Sequence, residues 1–113
     1  MAEVFVERTG PVVVVRLVGE VDLSNVETVR NALVESVAHE TECLIIDLSA
    51  TTYLDSTGVR LLFDLALRLH GRRQQLRVVV SDATIVRRVL VLTKLDQSVP
   101  FDTSIDAALA AVE

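Results

Sequence analysis

The sequence predicts an α/β domain: a mostly parallel sheet of four or five strands, an antiparallel N-terminal hairpin and about four helices. Three observations carry this. Short apolar runs of strand length, such as Val12-Val13-Val14-Val15 and Leu44-Ile45-Ile46, lack alternation and suit strands covered on both faces. Between such runs, apolar residues recur at intervals of three and four, the spacing of a helix with one buried side. The two kinds of segment alternate along the chain, as parallel strands joined by crossover helices require.

Taken in order, residues 4–7 and 12–18 form the hairpin. Arg8-Thr9-Gly10-Pro11 supplies the turn, because Gly10 tolerates positive φ and Pro11 can only begin a strand. Gly19-Glu20-Val21-Asp22 ends the second strand. Ser24 is the expected N-cap of the first helix, with Glu27 three residues on completing a capping box, and Val26, Val29, Leu33 and Val37 carry the helical period to about residue 39. Residues 42–48 read as a buried strand. A second helix spans residues 57–70 and stops at Gly71, a natural C′ residue. Residues 76–80 form a further strand, and Ser81-Asp82 is expected to cap a helix over 83–92. Residues 99–101 read as an edge strand, since Pro100 cannot donate within a ladder. Thr103 or Ser104 caps a last helix over 105–112. No linker, repeat or low-complexity tract interrupts residues 1–113, which are expected to form one domain.

Composition narrows the function. A chain of 113 residues can bury its own core. Its formal net charge of -5 argues against affinity for nucleic acid or anionic membrane and suits a protein partner. Without tryptophan, the chain offers little stacking surface for bases. Cys43 is the sole cysteine; at the start of an apolar strand it is expected to be a small core residue. The start Met1-Ala2-Glu3 lacks signal-peptide character, and no apolar run approaches the roughly 20 residues of a membrane span. The expectation is a cytoplasmic protein without membrane insertion.

Catalytic equipment is sparse. His39 and His70 are the only histidines, and each is expected in the last turn of a helix, where a cation complements the dipole. No His, Cys, Asp or Glu fall at a metal-ligand spacing. Ser56 lacks the flanking glycines of a hydrolase elbow, and no phosphate-cradling glycine motif occurs. Arg68, Arg72, Arg73 and Arg77 form one basic cluster and Arg87-Arg88 another; both read as solvated surface. No enzyme activity, catalytic residue, metal or cofactor is expected, and the chain reads as a binding protein.

Asp55-Ser56-Thr57-Gly58 stands where a strand hands over to a helix, against the positive end of the helix dipole. Asp and Ser are good N-cap residues. Gly58 weakens a first turn by about 1 kcal/mol relative to alanine, which makes sense if something must approach the backbone closely. Cap and switch both fit these four residues.

The wider pattern separates them. Gly19-Glu20-Val21-Asp22, Leu44-Ile45-Ile46-Asp47-Leu48-Ser49 and Tyr53-Leu54-Asp55-Ser56-Thr57-Gly58-Val59 resemble the STAS domain family, specifically the bacterial anti-sigma factor antagonists. Leu90-Val91-Leu92-Thr93-Lys94-Leu95-Asp96 resembles that family's late helix and its exit, so the likeness covers residues 4 to about 109. The resemblance implies a phosphorylation-controlled binding module with Ser56 as the acceptor and Thr57 as the lesser alternative. It implies as partner an anti-sigma factor with GHKL-type serine kinase activity, which binds the unmodified protein and releases its sigma factor. A metal-dependent serine phosphatase would reset the switch. Asp22 is expected beside the serine and Asp55 to orient it. Together Asp22, Asp55, Ser56, Thr57, Gly58 and Arg60 make the expected partner surface.

The chain departs from the family pattern at three positions. Thr57 replaces a frequent second serine. Arg60 replaces a small or apolar residue and is expected either to pair with Asp64 at i+4 or to screen a phosphate. Lys94 stands where glycine is usual, so the exit from the third helix is expected to differ. The alternative reading is an unphosphorylated STAS accessory subunit of a lipid-transport complex or signalling scaffold, which the neighbouring genes would reveal. Small-ligand binding above the sheet is a third, with no aromatic or polar cluster beyond Ser56, Thr57 and Asp22 to define a pocket.

Overall fold

Val13, Val14 and Val15 are all buried, because their strand has a neighbour on each side and helices on both faces. The computed structural model describes residues 1–112. Strand β1 (Ala2–Thr9) pairs antiparallel with β2 (Val12–Val21), which lies parallel to β3 (Cys43–Asp47). Beyond β3 follow β5 (Gln75–Val79) and the two-residue edge strand β6 (Phe101–Asp102), giving the order β1-β2-β3-β5-β6. All five residues of the central strand β3 are buried.

One strand was not expected. Strand β4 (Thr51–Leu54) pairs with the far end of β2, beyond the point where β3 stops. Gly19 makes the handover possible. Its φ of +104° produces the shift in register at Gly19/Glu20, and a Cβ there would collide with the Met1 carbonyl oxygen. The Thr51 hydroxyl donates to the Leu17 carbonyl at 2.7 Å and fixes the new strand. Four residues with only two buried gave no apolar run from which to predict it.

Helices α1 (Val26–Ser36), α2 (Ser56–Gly71) and α3 (Ile85–Leu92) cover one face, and α4 (Ile105–Ala111) covers the other. Leu33, Leu44, Ile46, Leu61, Leu62, Leu69, Val78 and Leu90 centre the larger core. Val14, Cys43, Ile45, Val79 and Ala108 form the smaller one. Cys43 is thus a core residue, as expected, and burial pushes its thiol up to about 11. No helix among the described residues is long and apolar enough to cross a membrane.

Helix ends needed the most correction. Ser24 does not cap α1: Asn25 occupies that place without a side-chain cap bond, and Glu27 reaches Arg30 at 3.6 Å instead of closing a capping box. Asp22 prevents it by drawing the Ser24 N–H and hydroxyl onto its own carboxylate. Helix α1 ends at Ser36, leaving His39 in an exposed turn rather than in a helix. The left-handed residue after α2 is Arg73 (φ +58°), not Gly71. Thr84 caps α3 by accepting from the Arg87 N–H at 3.1 Å, two residues later than the expected Ser81-Asp82. Of the two candidate caps for α4, Ser104 is the one used. Lys94 adopts φ +68° at the exit of α3, the conformation that glycine takes without strain.

Candidate functional site

Parallel strands place their C-terminal ends along one edge, and the loops leaving β2 and β4 meet there. The Asp55 N–H donates to the Val21 carbonyl at 3.2 Å, and the Leu23 N–H donates to Asp55 Oδ2 at 3.1 Å. Asp55 Oδ1 accepts from the Thr57 and Gly58 N–H groups, at 2.9 and 3.1 Å, and from the Thr57 hydroxyl. One carboxylate therefore caps α2 with one oxygen and tethers the β2–α1 loop with the other. Chiefly the Thr57 hydroxyl holds the Asp55 carboxyl below its ordinary value of 3.8; desolvation opposes it, and the Gly58, Leu23 and Thr57 N–H groups add to the lowering.

Asp22 sits at the adjoining loop. Its carboxyl is lowered first by the Ser24 hydroxyl, with desolvation and the negative charge of Asp55 opposing. Asn25 braces this loop from below, accepting from the Asp22 N–H at 3.0 Å and donating to the Glu20 carbonyl at 2.8 Å. Asp22 and Asp55 thus lie on joined loops at one end of the sheet.

The two hydroxyls differ. Thr57 is half-buried and bound to Asp55, whereas Ser56 is exposed and its Oγ makes no hydrogen bond among the described residues. Ser56 opens a 16-residue helix whose cap belongs entirely to its neighbours. Asp55 occupies the Thr57 and Gly58 N–H groups, which leaves the N–H of Ser56 itself without a hydrogen bond among the described residues.

Gly58 also has another reason than the one expected. It is buried, and a Cβ there would lie 2.6 Å from Leu54 Cδ1 and 3.3 Å from Val21 Cγ1. The close approach comes from the protein's own core, not from outside. Arg60 is exposed and does not pair with Asp64, whose carboxylate is taken by Arg30 of α1 at 3.5 Å. Both basic clusters are broken up: Arg77 forms a two-pronged ion pair with Asp102 (2.8 and 3.1 Å), while Arg87 pairs with Asp82 and lies over the Phe101 ring.

Two residues escaped the sequence reading. Leu23 and Tyr53 are 74% and 50% exposed, one bonded to Asp55 through its N–H and the other two residues before it. Leu23 interrupts a polar loop, a signal that was available. Tyr53 could not be placed without β4. A surface cavity of about 490 Å³ runs along α3, lined by Asp82, Ile85, Arg88 and Leu92 among others and by none of the residues around Ser56. Among the described residues no cluster of three His, Cys, Asp or Glu could hold a metal ion.

Known proteins of this build give the arrangement a context. The model of the STAS domain matches residues 3–108. The anti-sigma-F factor antagonist RsfB of Mycobacterium tuberculosis is 31% identical over 101 residues, covering 89% of this chain and 81% of its own. The crystal structure of an anti-sigma factor antagonist from Mycobacterium paratuberculosis superposes with a TM-score of 0.89 at 32% identity, over 99% of this chain and 94% of that one. The Bacillus cell fate determinant SpoIIAA in its phosphorylated form shares the fold, with a TM-score of 0.71 at 22% identity over 98% of this chain and all of its own (100%). With a family match over nearly its whole length and both parts of the motif joined at one sheet edge, the chain belongs to the STAS domain family.

Proposed function

We propose that this chain is an anti-sigma factor antagonist switched by phosphorylation of Ser56. Unmodified, it binds an anti-sigma factor that is also a GHKL-type serine kinase, and the sigma factor is released. The kinase then transfers the γ-phosphoryl group of ATP to Ser56 Oγ; ADP leaves, the hydroxyl proton goes to a base on the kinase, and the complex ends. A metal-dependent serine phosphatase hydrolyses the phosphoserine and restores the binding form.

The observation that carries this reading is the contrast between the two hydroxyls. Ser56 is exposed with no internal bond to break, whereas Thr57 is committed to the Asp55 cap. The similarity to two mycobacterial antagonists over most of the chain supports the partner class. Ser56, Arg60, Leu23 and Tyr53 would form the contact surface, with Asp22 and Asp55 setting its loops and Gly58 its packing. Phosphorylation adds about -1.5 to -2 charges beside two carboxylates, which repels a partner that had accepted a neutral hydroxyl. The fold has no stake in that hydroxyl, so the change is one of surface complementarity.

Incubation with the cognate anti-sigma kinase and ATP tests the reading. Wild type should take up one phosphate at Ser56, Ser56→Ala none, and Ser56→Asp should lose binding to the kinase. Equal phosphorylation of Ser56→Ala, or normal binding by Ser56→Asp, refutes it.

A further inference from the structure

Arg60 is left without a partner by the rest of the fold. Its i+4 neighbour Asp64 is held by Arg30, which also reaches Glu27, so the carboxylates between α1 and α2 are already engaged. Arg60 itself forms no ion pair among the described residues and is exposed. Helical side chains lean towards the helix N-terminus, so Arg60 projects over the turn that holds Ser56 and Thr57. Thr57 is bound to Asp55; Ser56 is not.

Of the first four N–H groups of α2, the usual receivers of an anion at a helix start, only that of Ser56 itself has no partner among the described residues. The Thr57 and Gly58 N–H groups donate to Asp55 Oδ1, and the Val59 N–H donates to the Asp55 carbonyl. A phosphoryl group on Ser56 would have to displace the cap to use them. Arg60, one turn along the same side, is within reach without any such cost.

We propose that Arg60 receives the phosphoryl group of Ser56 within the same chain, as an i,i+4 charge-assisted pair across the first turn of α2. This rests on Ser56 being the acceptor and adds a second half to the switch. Phosphorylation then places negative charge at Ser56 and at the same time withdraws a guanidinium from the partner surface. A partner carboxylate or nucleotide phosphate that met Arg60 in the unmodified protein loses its counter-charge in the modified one.

The test uses full-length protein with phosphoserine genetically encoded at position 56, so no kinase is involved. ³¹P NMR titration follows the second ionisation of that phosphate in the wild-type background, in Arg60→Gln and in Arg60→Lys. All three carry the same two carboxylates, Asp22 and Asp55, on the adjoining loops. The wild-type value should lie about 0.2–0.4 units below that of Arg60→Gln, Arg60→Lys should restore most of the difference, and about 1 M salt should erase it. Equal values in wild type and Arg60→Gln at low salt overturn the proposal. A difference that Arg60→Lys does not restore also overturns it, because the effect would not follow the charge. A kinase that leaves Ser56 unmodified would defeat the proposed function and leave this titration untouched, so the two fail separately.

Discussion

The two ends of the sheet put polar side chains to opposite uses. At the C-terminal ends of the strands, Asp22 and Asp55 hold loop N–H groups and leave the Ser56 hydroxyl in solvent. At the other end, Gln74 is buried and donates from Nε2 to the Ala38 and Thr41 carbonyls, at 3.0 and 2.8 Å, tying the end of the α1 loop to β5. Its Oε1 is buried without a partner among the described residues. At this end the buried amide N–H groups serve the fold. The other satisfies its backbone with carboxylates so that a hydroxyl is free of any structural task. A reversible covalent switch needs such a group, because its modification must not unfold what it regulates.

Substitutions at the two ends should come apart accordingly. The largest effect on stability is expected from Gln74→Leu, which removes the donor to one buried and one part-buried carbonyl and should cost about 1–3 kcal/mol in chemical denaturation. Phosphate uptake at Ser56 should be unchanged; a loss of uptake would mean that the two ends are coupled. Asp55→Ala should cost about 1–2 kcal/mol through the lost cap and tether, and should also impair partner binding by releasing Leu23. The Asp55 carboxyl titrates below its ordinary value of 3.8, so its contribution is complete above that value. It is lost as the pH falls through the lower folded value. Wild type and Asp55→Ala should therefore converge in thermal midpoint in acid, and a gap that persists there would assign the loss to packing instead. Ser56→Ala should have the smallest effect, within about 0.5 kcal/mol of wild type. A larger loss would show that the hydroxyl has a structural role after all.

Much of this was legible in the sequence because it rests on unbroken apolar runs of strand length and on apolar residues at a period of 3.6. The buried valines of β2, the apolar run of β3 and the amphipathic α2 all announce themselves. Helix starts were less legible, since several hydroxyl and carboxylate residues compete for each one and only geometry decides. Ser24, held by Asp22, gave way to Asn25, and Ser81-Asp82 gave way to Thr84. Strand β4 was hidden because Gly19 creates its pairing partner from the far end of β2. Lys94 shows the converse, a left-handed residue at φ +68° that its residue type does not announce. At the site, the family resemblance implied Asp22 beside Ser56 and Asp55 orienting it. The division of labour between Ser56 and Thr57, the inward reason for Gly58 and the diversion of Asp64 to Arg30 needed three-dimensional contacts.

The buried Cys43 has a practical consequence for following such a switch. Its thiol is 2% exposed and raised to about 11, so the reactive thiolate is scarce at neutral pH and shielded from reagents. For maleimide chemistry the native chain behaves as though it had no cysteine. A single thiol introduced by Leu67→Cys, at a side chain 73% exposed on α2, would take a fluorophore at one place without removal of Cys43 from the core. Binding and release could then be watched by fluorescence on an otherwise native protein.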